Sequence, residues 1–363
     1  MLLYIFIAVV LINAGFFILF SKFSFLTPEH QVSTESFPIS VIVCAKNEAE
    51  NLKNNIPLWL SQEYPNFELI LIDDASSDDT REVIESFAKD YDNIHTVHIE
   101  NNETFWSNKK YSMTLGIKRA YNKRMLFTDA DCRPASNQWL RLMTASLDKE
   151  KQLILGYGAY EKQKGLLNAL IRFETLMTAI QYFSYAKAGM PYMGVGRNLA
   201  YTSQLFYDNR GFMSHMNVPS GDDDLFVNEA ATSENTEICF DENAFTYSIP
   251  KQSFKAWFLQ KRRHVTTAMH YKNKHRVLLC IYYLSNLLFW VLGVTCFVFV
   301  DWKTPLAIVL FRFILQYIFI GNATKLLKEK GLLPYLPLLE LFLVVLQLTI
   351  FISNKMAKPK RWK

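Results

Sequence analysis

The chain has 363 residues, of which 50% are hydrophobic, and its 39 lysine and arginine residues against 34 aspartate and glutamate residues give a net charge of +5. This length accommodates one α/β domain of about 250 residues together with further segments. The five cysteines show no CxxC or Cys/His spacing, which argues against structural zinc and a disulfide framework. The basic residues concentrate near apolar segments, which favours anionic lipid over nucleic acid as a partner.

The chain opens with an apolar segment. Residues 2–20 form an uncharged run of 19 positions, close to the roughly 20 that a membrane-spanning helix needs. A cleaved signal peptide is the alternative, but no basic segment precedes the run and no small-residue cleavage site follows it. We therefore predict an N-terminal anchor over residues 1–21 and a polar linker over 22–38. Lys22 follows the anchor, so the positive-inside rule places the next segment in the cytoplasm.

Strands and helices alternate after the linker. The predicted strands are 40–44, 67–72, 94–98 and 125–128, and the predicted helices are 49–62, 79–89 and 109–121. Strands that alternate with helices of this length predict an α/β fold with a largely parallel sheet, which binds ligands at the carboxyl ends of its strands. Acidic residues fall at two of those ends, at Asp73-Asp74 and at Asp129-Ala130-Asp131.

These acidic clusters carry the first indication of chemistry. Carboxylates at the end of a buried strand cost free energy unless a cation meets them. For Asp129 and Asp131, two residues apart, the most economical partner is a divalent metal that carries a diphosphate. A third cluster, Asp222-Asp223-Asp224, follows later in the chain. Together they indicate a metal-dependent enzyme that uses a nucleotide-activated donor.

The second half of the chain contains further apolar segments. Residues 166–186 have a helical apolar period, which favours a helix packed on the sheet, with a membrane-surface helix as the alternative. Residues 253–260 are expected at the membrane interface, because basic residues and a predicted span follow them. A C-terminal membrane region of two to three helices is predicted over 277–353; its candidate helices are 277–300, 332–353 and a weaker 304–321 that contains Arg312.

The C-terminal tail constrains the topology. Residues 354–363 are basic, and the positive-inside rule places them in the cytoplasm. One anchor followed by three full crossings would leave them outside, so one of the last two segments is expected to be re-entrant or interfacial. Pro334 and Pro337 make the final segment a candidate. The chain is thus expected to be a multi-pass protein of a bacterial-type inner membrane.

Five segments, in this order, resemble blocks of the inverting family 2 glycosyltransferases with a GT-A fold. The last of them resembles a block that marks membrane synthases of the cellulose, hyaluronan and poly-N-acetylglucosamine type. The segments are SVIVCAKNEAENL at 40–52, LILIDDASSDDT at 69–80, FTDADCRP at 127–134, GDDDL at 221–225 and QKRRH at 260–264. The resemblance implies a cytoplasmic GT-A domain over 39–265, with a nucleotide-binding half at 39–135 and an acceptor half with interfacial helices at 136–265.

The resemblance also assigns residues to the donor nucleotide. Those implied around its base and ribose are Asn47, Glu48, Asp73 and Asp74. Lys109 or Lys110, at the start of a predicted helix, would lie near the donor. A helix-start role for Asp74 and a solvated-face position for the lysines are the alternatives.

The resemblance assigns metal binding to the cluster at 129–131 and the general base to the cluster at 222–224. The resemblance implies that Asp131 binds Mg²⁺ or Mn²⁺ while Asp129 faces the nucleotide. Aligning the GDDDL block on its Asp-Leu pair makes Asp222 the general base, whereas aligning it on its glycine makes Asp223 the base; we favour Asp222. Gly221 stands where many members have Glu or Thr. Crowded carboxylates raise one another's pKa, which suits a base that works near neutral pH.

The last implied contacts concern the acceptor and the diphosphate. Gln260 and Arg263 would close over both, a plain juxtamembrane basic run being the alternative for the arginine. His264 replaces the usual tryptophan, which argues against processive polymer synthesis. Arg197 and Asn198, in the segment GVGRN, are expected acceptor contacts; the same segment lacks the third glycine of a dinucleotide-binding motif.

The expected reaction is transfer of a sugar, with inversion, from a nucleotide-sugar to a hydroxyl of a lipid-linked or growing glycan. A UDP-sugar is the expected donor. One alternative is a processive polysaccharide synthase, which would need oligomerisation or a partner subunit because the membrane segments are few for a conduit. The other is a membrane scaffold that binds a nucleotide-sugar without turning it over.

Overall fold

The computed structural model describes residues 1–27, 37–100, 109–148 and 150–356. Most of the predicted linker and the basic tail beyond residue 356 lie outside the described residues. The chain divides into two compact units. The sheet unit is built mainly from residues 28–161 and 189–250, and the helical unit from residues 1–27, 162–188 and 251–359.

The predicted elements between residues 40 and 128 are all present, with ends shifted by a few residues. The strands are β1 (Ile39–Ala45), β2 (Phe67–Asp73), β3 (Ile94–His98), β4 (Arg124–Asp129), β5 (Cys132–Pro134), β6 (Leu153–Leu155), β7 (Gly158–Tyr160), β8 (Leu199–Thr202), β9 (Thr236–Ile238) and β10 (Thr246–Ser248). The α-helices are α1 (Leu2–Ser24), α2 (Ala49–Leu60), α3 (Thr80–Asp90), α4 (Lys109–Arg119), α5 (Trp139–Thr144), α6 (Leu166–Lys187), α7 (Ser203–Asp208), α8 (Asp224–Ala230), α9 (Phe254–Thr267), α10 (Asn273–Phe299), α11 (Lys303–Leu326) and α12 (Leu336–Met356).

The main sheet has the strand order β3-β2-β1-β4-β8-β6-β9. The first four strands are parallel, as predicted, whereas β8 runs antiparallel to both β4 and β6. Strand β1 is almost entirely buried, as expected for a parallel strand covered on both faces. Its register pairs Ala45 with Asp73 and Cys44 with Asp129. The acidic ends of β2 and β4 therefore lie at the same edge of the sheet.

A second, three-stranded sheet has the order β5-β10-β7. It fixes the segment that follows Asp131, because Cys132 in β5 pairs with Ser248 in β10. Ser248 also pairs with Tyr160 in the parallel strand β7. The segment after β4 thus connects the main sheet, which contains β4, to the second sheet, which contains β5.

Within the described residues, four helical segments of the helical unit are long and apolar enough to cross a membrane: Leu2–Ser24, Asn273–Phe299, Lys303–Leu326 and Lys330–Met356. The segment predicted as weak, 304–321, is therefore part of a full-length helix, α11. Its central Arg312 is fully buried and donates hydrogen bonds to Asn13 of α1, Asn286 of α10 and Glu340 of α12. The arginine thus faces protein partners rather than lipid.

Helix α6 corrects one expectation. Residues 166–186 were expected to pack on the sheet, but α6 packs against α1, α11 and α12 in the helical unit. Most of its side chains are buried, and a half-buried stripe at Glu174, Thr178 and Gln181 marks its one more open face. The predicted domain range 39–265 consequently includes two stretches, 162–188 and 251–265, that belong to the helical unit.

Candidate active site

Two loops at the carboxyl edge of the main sheet are tied together. The Asn47 N–H donates to Ser76 Oγ at 3.0 Å, and Asn47 Oδ1 accepts from the Ser77 N–H at 2.8 Å. The Glu48 N–H donates to Thr80 Oγ1 at 2.8 Å. Asn47 has a φ of +56°, a left-handed conformation that asparagine tolerates better than most residues. The structure thus brings Asn47 and Glu48 to the segment after β2, although the Asn47 amide is used within the loop.

The buried carboxylates of Asp73 and Asp74 end β2. Asp73 Oδ1 accepts from the Ser76 N–H at 3.1 Å, which shapes the loop. Asp74 Oδ1 accepts from the hydroxyl of Ser112 in α4. The helix-start position of α3 belongs to Asp79 rather than to Asp74. Asp74 therefore joins the β2 loop to α4.

Lys109, the first residue of α4, lies between two acidic clusters. Its Nζ is 2.7 Å from Asp129 Oδ1 and 3.0 Å from Asp222 Oδ2. Burial alone would lower the pKa of Lys109, but the two carboxylates outweigh it and hold the pKa well above its ordinary value. One ammonium group thus brings the end of β4 and the segment before α8 together.

The neighbouring Lys110 has a different environment. It is almost fully buried, and its Nζ donates to the carbonyl oxygens of His215 at 2.9 Å, Val218 at 2.6 Å and Ser220 at 2.7 Å. An ammonium has three N–H donors, and this loop accepts from all of them. The geometry therefore favours a structural role for Lys110, in holding the loop before the acidic triplet, over the expected donor contact.

Replacing Lys110 with methionine should loosen this loop. The change would leave three carbonyl oxygens without their ammonium partner, at a cost on the order of 2 kcal/mol in the free energy of unfolding. We expect a lower melting temperature and faster amide exchange over residues 215–224, measured by mass spectrometry. Lys118→Met, at an exposed lysine of the same helix, is the matched control. Unchanged exchange in the Lys110 variant would contradict the assignment.

The acidic triplet places two carboxylates in different environments. Burial would raise the pKa of Asp222, but the Lys109 ammonium lowers it below its ordinary value. Burial, and then the neighbouring charge of Asp222, raise the pKa of Asp223 to about 7. Asp223 also accepts main-chain N–H bonds from Gly196 and Asp224, each at 2.7 Å. Asp222 is thus ionised and held by a side chain, whereas Asp223 caps α8 and fixes the Gly196 segment.

Gly221 explains why the block departs from the family pattern. Its φ is +100°, a conformation that favours glycine. A Cβ at this position would lie 2.5 Å from Leu225 Cδ1, which is closer than real Cβ contacts. A larger residue would therefore need a different backbone path before the acidic triplet.

A candidate metal site lies at the end of β4. Among the described residues, Asp129, Asp131 and Cys132 offer ligand atoms that lie within 4.8 Å of one another. Burial, and then the charge of Asp131, raise the pKa of the Cys132 thiol well above its ordinary value, so sulfur remains protonated. The two carboxylates provide hard oxygen ligands, which fit Mg²⁺ or Mn²⁺ with further oxygens from a diphosphate.

A small cavity connects these groups. Its volume is about 10 Å³, and its polar lining comes from Lys109, Asp129, Asp222 and Asp223, with Tyr201 beside them. Such a volume holds about one water molecule. The two candidate bases, Asp222 and Asp223, therefore share this space with Asp129, the first carboxylate of the Asp-x-Asp block.

Arg197 and Asn198 were expected to contact the acceptor. The Arg197 guanidinium lies 4.3 Å from the centre of the Tyr160 ring and donates to Ser248 Oγ at 3.2 Å. Asn198 is fully buried; its Oδ1 accepts from Trp139 Nε1 at 3.0 Å, and its Nδ2 donates to two backbone carbonyls. These contacts favour a structural role for Asn198, because no part of its amide is exposed.

Gln260 and Arg263 lie on α9, in the helical unit. The basic residues between them are engaged within that unit: Lys261 forms an ion pair with Glu174 of α6, and Arg262 donates to Asn354 Oδ1 at 2.8 Å. Lys261 and Arg262 therefore bind other residues of the helical unit and are not simply a solvated basic segment.

Two contacts at the site were missed by the sequence analysis. Ser112 binds Asp74 across 38 positions of the chain, and Gly196 binds Asp223 across 27 positions. No local pattern links such partners. The only signal was that Gly196 belongs to the glycine-containing segment already noted.

Comparison with known proteins finds a family match for part of the chain. Residues 40–197 match the model for glycosyl transferase family 2. The chain is 31% identical over 110 residues to the glycosyltransferase AglE of Haloferax volcanii, which covers 30% of this chain and 34% of AglE. It is 34% identical over 112 residues to a poly-beta-1,6-N-acetyl-D-glucosamine synthase of Staphylococcus epidermidis, which covers 31% of this chain and 25% of the synthase. The matched segments thus span about a third or less of these relatives.

A solved structure shows the same fold. The mannosyltransferase PcManGT from Pyrobaculum calidifontis, in complex with GDP-Man and Mn²⁺, superimposes with a TM-score of 0.59 at 17% identity, covering 94% of this chain and 99% of that one. Residues 40–197 thus match a family 2 glycosyltransferase domain, and the shared fold supports the GT-A fold for this chain.

Proposed function

We propose that the protein transfers a sugar, with inversion, from a nucleotide-sugar to a hydroxyl of a lipid-linked or growing glycan, with a UDP-sugar as the expected donor. The observation that carries this proposal is the shared position of Lys109 Nζ, within 3.0 Å of both Asp129 and Asp222. It puts a candidate base beside the candidate diphosphate site, as a single displacement at the anomeric carbon requires.

Asp222 is the proposed general base. It faces the small cavity, and its closest charged contact is the Lys109 ammonium, whereas both oxygens of Asp223 accept main-chain N–H bonds. Asp222 would take the proton of the acceptor hydroxyl while that oxygen bonds to the anomeric carbon. The bond from this carbon to the nucleoside diphosphate breaks in the same step, and attack from the opposite face inverts the configuration.

Asp131 is the proposed holder of Mg²⁺ or Mn²⁺ beside the diphosphate, and Asp129 is proposed to face the nucleotide. When bound, the metal neutralises the negative charge that develops on the departing diphosphate. Lys109 adds a fixed positive charge to the same space and keeps both acidic clusters in position. Asn47, Glu48, Asp73 and Asp74 would surround the base and ribose, with the two loops already ordered by their mutual hydrogen bonds.

The proposed setting is a bacterial-type inner membrane with the sheet unit in the cytoplasm. The helices long enough to cross a membrane and the basic residues at 272–276, immediately before and at the start of α10, support it. Membrane lipids would then surround the helical unit. A lipid-linked acceptor would be anchored in the cytoplasmic leaflet of that membrane.

Removing Asp131 should abolish metal-dependent turnover. We would incubate the detergent-purified protein with UDP- and GDP-sugars, Mg²⁺ or Mn²⁺ and a bacterial lipid extract, and measure nucleoside diphosphate release with and without a chelator. We expect chelator-sensitive release with one donor, and a loss of at least about 100-fold in Asp131→Ala, because an electrostatic group at the diphosphate contributes at least that much.

Asp92→Ala, at an exposed aspartate of the sheet unit, is the matched control and should keep its activity. Full metal-dependent release by Asp131→Ala would overturn the metal assignment. Donor binding without release in the unmodified protein would instead favour the non-catalytic scaffold. Product length after prolonged reaction separates single transfer from processive synthesis.

A further inference from the structure

Contacts between aromatic side chains show the relative directions of the apolar helices. Helix α10 runs antiparallel to α1, because Phe6 stacks on Phe289 at 5.9 Å between ring centroids whereas Phe20 contacts Tyr282 at 5.5 Å. One end of this helix pair is therefore formed by Ser24 and by the start of α10. Residues 25–272 leave and re-enter at that end, which we call the proximal end.

Helix α11 runs parallel to α1 and ends at the same place. Near its start, Ile308 packs in the cluster of Phe6; at its centre, Arg312 Nε donates to Asn13 Oδ1 at 2.9 Å. Close to its end, Phe319 contacts Phe25 at 5.6 Å. The last residue of α11 is therefore at the proximal end, and the turn between α10 and α11 is at the opposite, distal end.

The chain after α11 folds back toward the middle of the bundle. Leu333 Cδ1 lies 3.5 Å from the position that a Cβ of Gly321 would occupy. Seven residues later, the Glu340 carboxylate accepts from Arg312 at 2.6 and 2.8 Å, at the centre of α11. The segment thus enters the bundle from the proximal end and reaches its middle.

Helix α12 then returns to the proximal end. Arg262 Nε donates to Asn354 Oδ1 at 2.8 Å, and Asn354 Nδ2 donates to the Arg262 carbonyl oxygen at 3.0 Å. A second Arg262 nitrogen donates to the Ser353 carbonyl oxygen at 3.2 Å. Arg262 belongs to α9, which leads directly into α10, and the adjacent Lys261 forms an ion pair with Glu174.

The contacts of helix α6, which carries Glu174, show that α9 lies at the proximal end. Its Phe183 contacts Phe23 near the end of α1 at 5.0 Å, and its Arg172 forms a buried ion pair with Glu329 just after α11. Both contacts are at the proximal end. The last residues of α12 are therefore held at the same end from which the segment entered.

We infer that residues 327–354 form a re-entrant hairpin rather than a membrane span, so that the chain crosses the membrane three times and residue 354 lies on the same side as residues 25–272. The distance along α12 from Glu340 to Asn354 is about 21 Å at helical rise, which is enough to return from the middle of a bilayer core of roughly 30 Å to its proximal face. The two carboxylates of this segment, Glu329 and Glu340, are buried in protein, as charged groups at membrane depth require.

The sequence after α12 agrees with this topology. Lys355 lies in the last turn of α12, and four more basic residues follow it in the sequence: Lys358, Lys360, Arg361 and Lys363. The positive-inside rule favours the side of residues 25–272 for such a basic sequence, and three crossings agree with the rule where four would not.

Cysteine labelling in sealed vesicles tests the inference in the full-length protein and does not depend on enzymatic activity. Three exposed positions receive a single added cysteine: Met356→Cys at the end of α12, Lys272→Cys before α10 and Asp301→Cys in the distal turn. A membrane-impermeant maleimide is applied to inverted and to right-side-out vesicles. The unsubstituted chain, with its own five cysteines, gives the background.

We expect the Met356 variant to be labelled at least about tenfold more in the same vesicle orientation as the Lys272 variant, and the Asp301 variant in the opposite orientation. The Lys272 and Asp301 variants define the two sides within one experiment. Labelling of Met356→Cys together with Asp301→Cys would mean that α12 crosses the membrane and would overturn the inference. Neither result bears on the proposed transfer reaction, so the two proposals fail separately.

Discussion

Asp222→Asn should lower the rate of sugar transfer by about 100- to 10,000-fold, the range that a positioned general base contributes. Asparagine keeps the size and one oxygen of the side chain but cannot take the acceptor proton. Donor binding should remain, because Asp129, Asp131 and Lys109 are unchanged. Initial rates with saturating donor and a separate calorimetric measurement of donor affinity would distinguish the two effects.

Asp223→Asn is the informative comparison. Its single amide oxygen can accept from only one of the two N–H groups that the carboxylate binds, those of Gly196 and Asp224. If Asp222 is the base, the loss of rate in Asp223→Asn should still be smaller than in Asp222→Asn. A larger loss in Asp223→Asn than in Asp222→Asn, with equal melting temperatures, would transfer the role of base to Asp223. Its pKa, raised to about 7, is compatible with such a role.

Arg312→Met should destabilise the helical unit by about 3–5 kcal/mol, the cost typical of breaking a buried ion pair by removing one partner. Arg312 is fully buried and hydrogen-bonds to residues of α1, α10 and α12 as well as to Gln316 of its own helix. Its loss would leave the Glu340 carboxylate buried without its cation. We expect a much lower melting temperature in detergent, measured by fluorescence-detected size exclusion.

The double variant Arg312→Met/Glu340→Met separates charge pairing from packing. Replacing both partners by apolar residues should recover part of the lost stability, because neither charge is then buried alone. Arg276→Met, at an exposed arginine of α10, should have little effect. A wild-type melting temperature for the Arg312 single variant would show that the network contributes little to folding.

The sheet was predictable where short-range patterns determine it. Strands β1 and β4 are apolar runs that end at polar residues, and the parallel arrangement follows from the helices between them. The antiparallel strand β8 was not predicted, because its four residues lack a distinctive pattern and their place beside β4 depends on distant parts of the chain. For α6, periodicity indicated burial but could not identify what buries it.

The location of the site was predictable from the sequence, but the roles of several of its residues were not. The acidic residues at the ends of β2 and β4 were expected at one edge of the sheet, and the strand register places Asp73 and Asp129 there. The individual roles of Lys110 and Asn198 were not predictable. Both depend on backbone carbonyls more than 40 positions away, such as those of Ser220 and Tyr157, which no sequence pattern brings together.

The position of α6 has a practical consequence for dissecting the protein. A fragment limited to residues 37–250 would omit α1 and every helix after residue 250, yet it would retain α6 in the middle of its sequence. The side chains that α6 buries against α1, α11 and α12 would then face water over 22 residues. Such a fragment should aggregate, so a water-soluble form of the catalytic domain requires replacing residues 162–188 by a short polar connector rather than trimming the two termini.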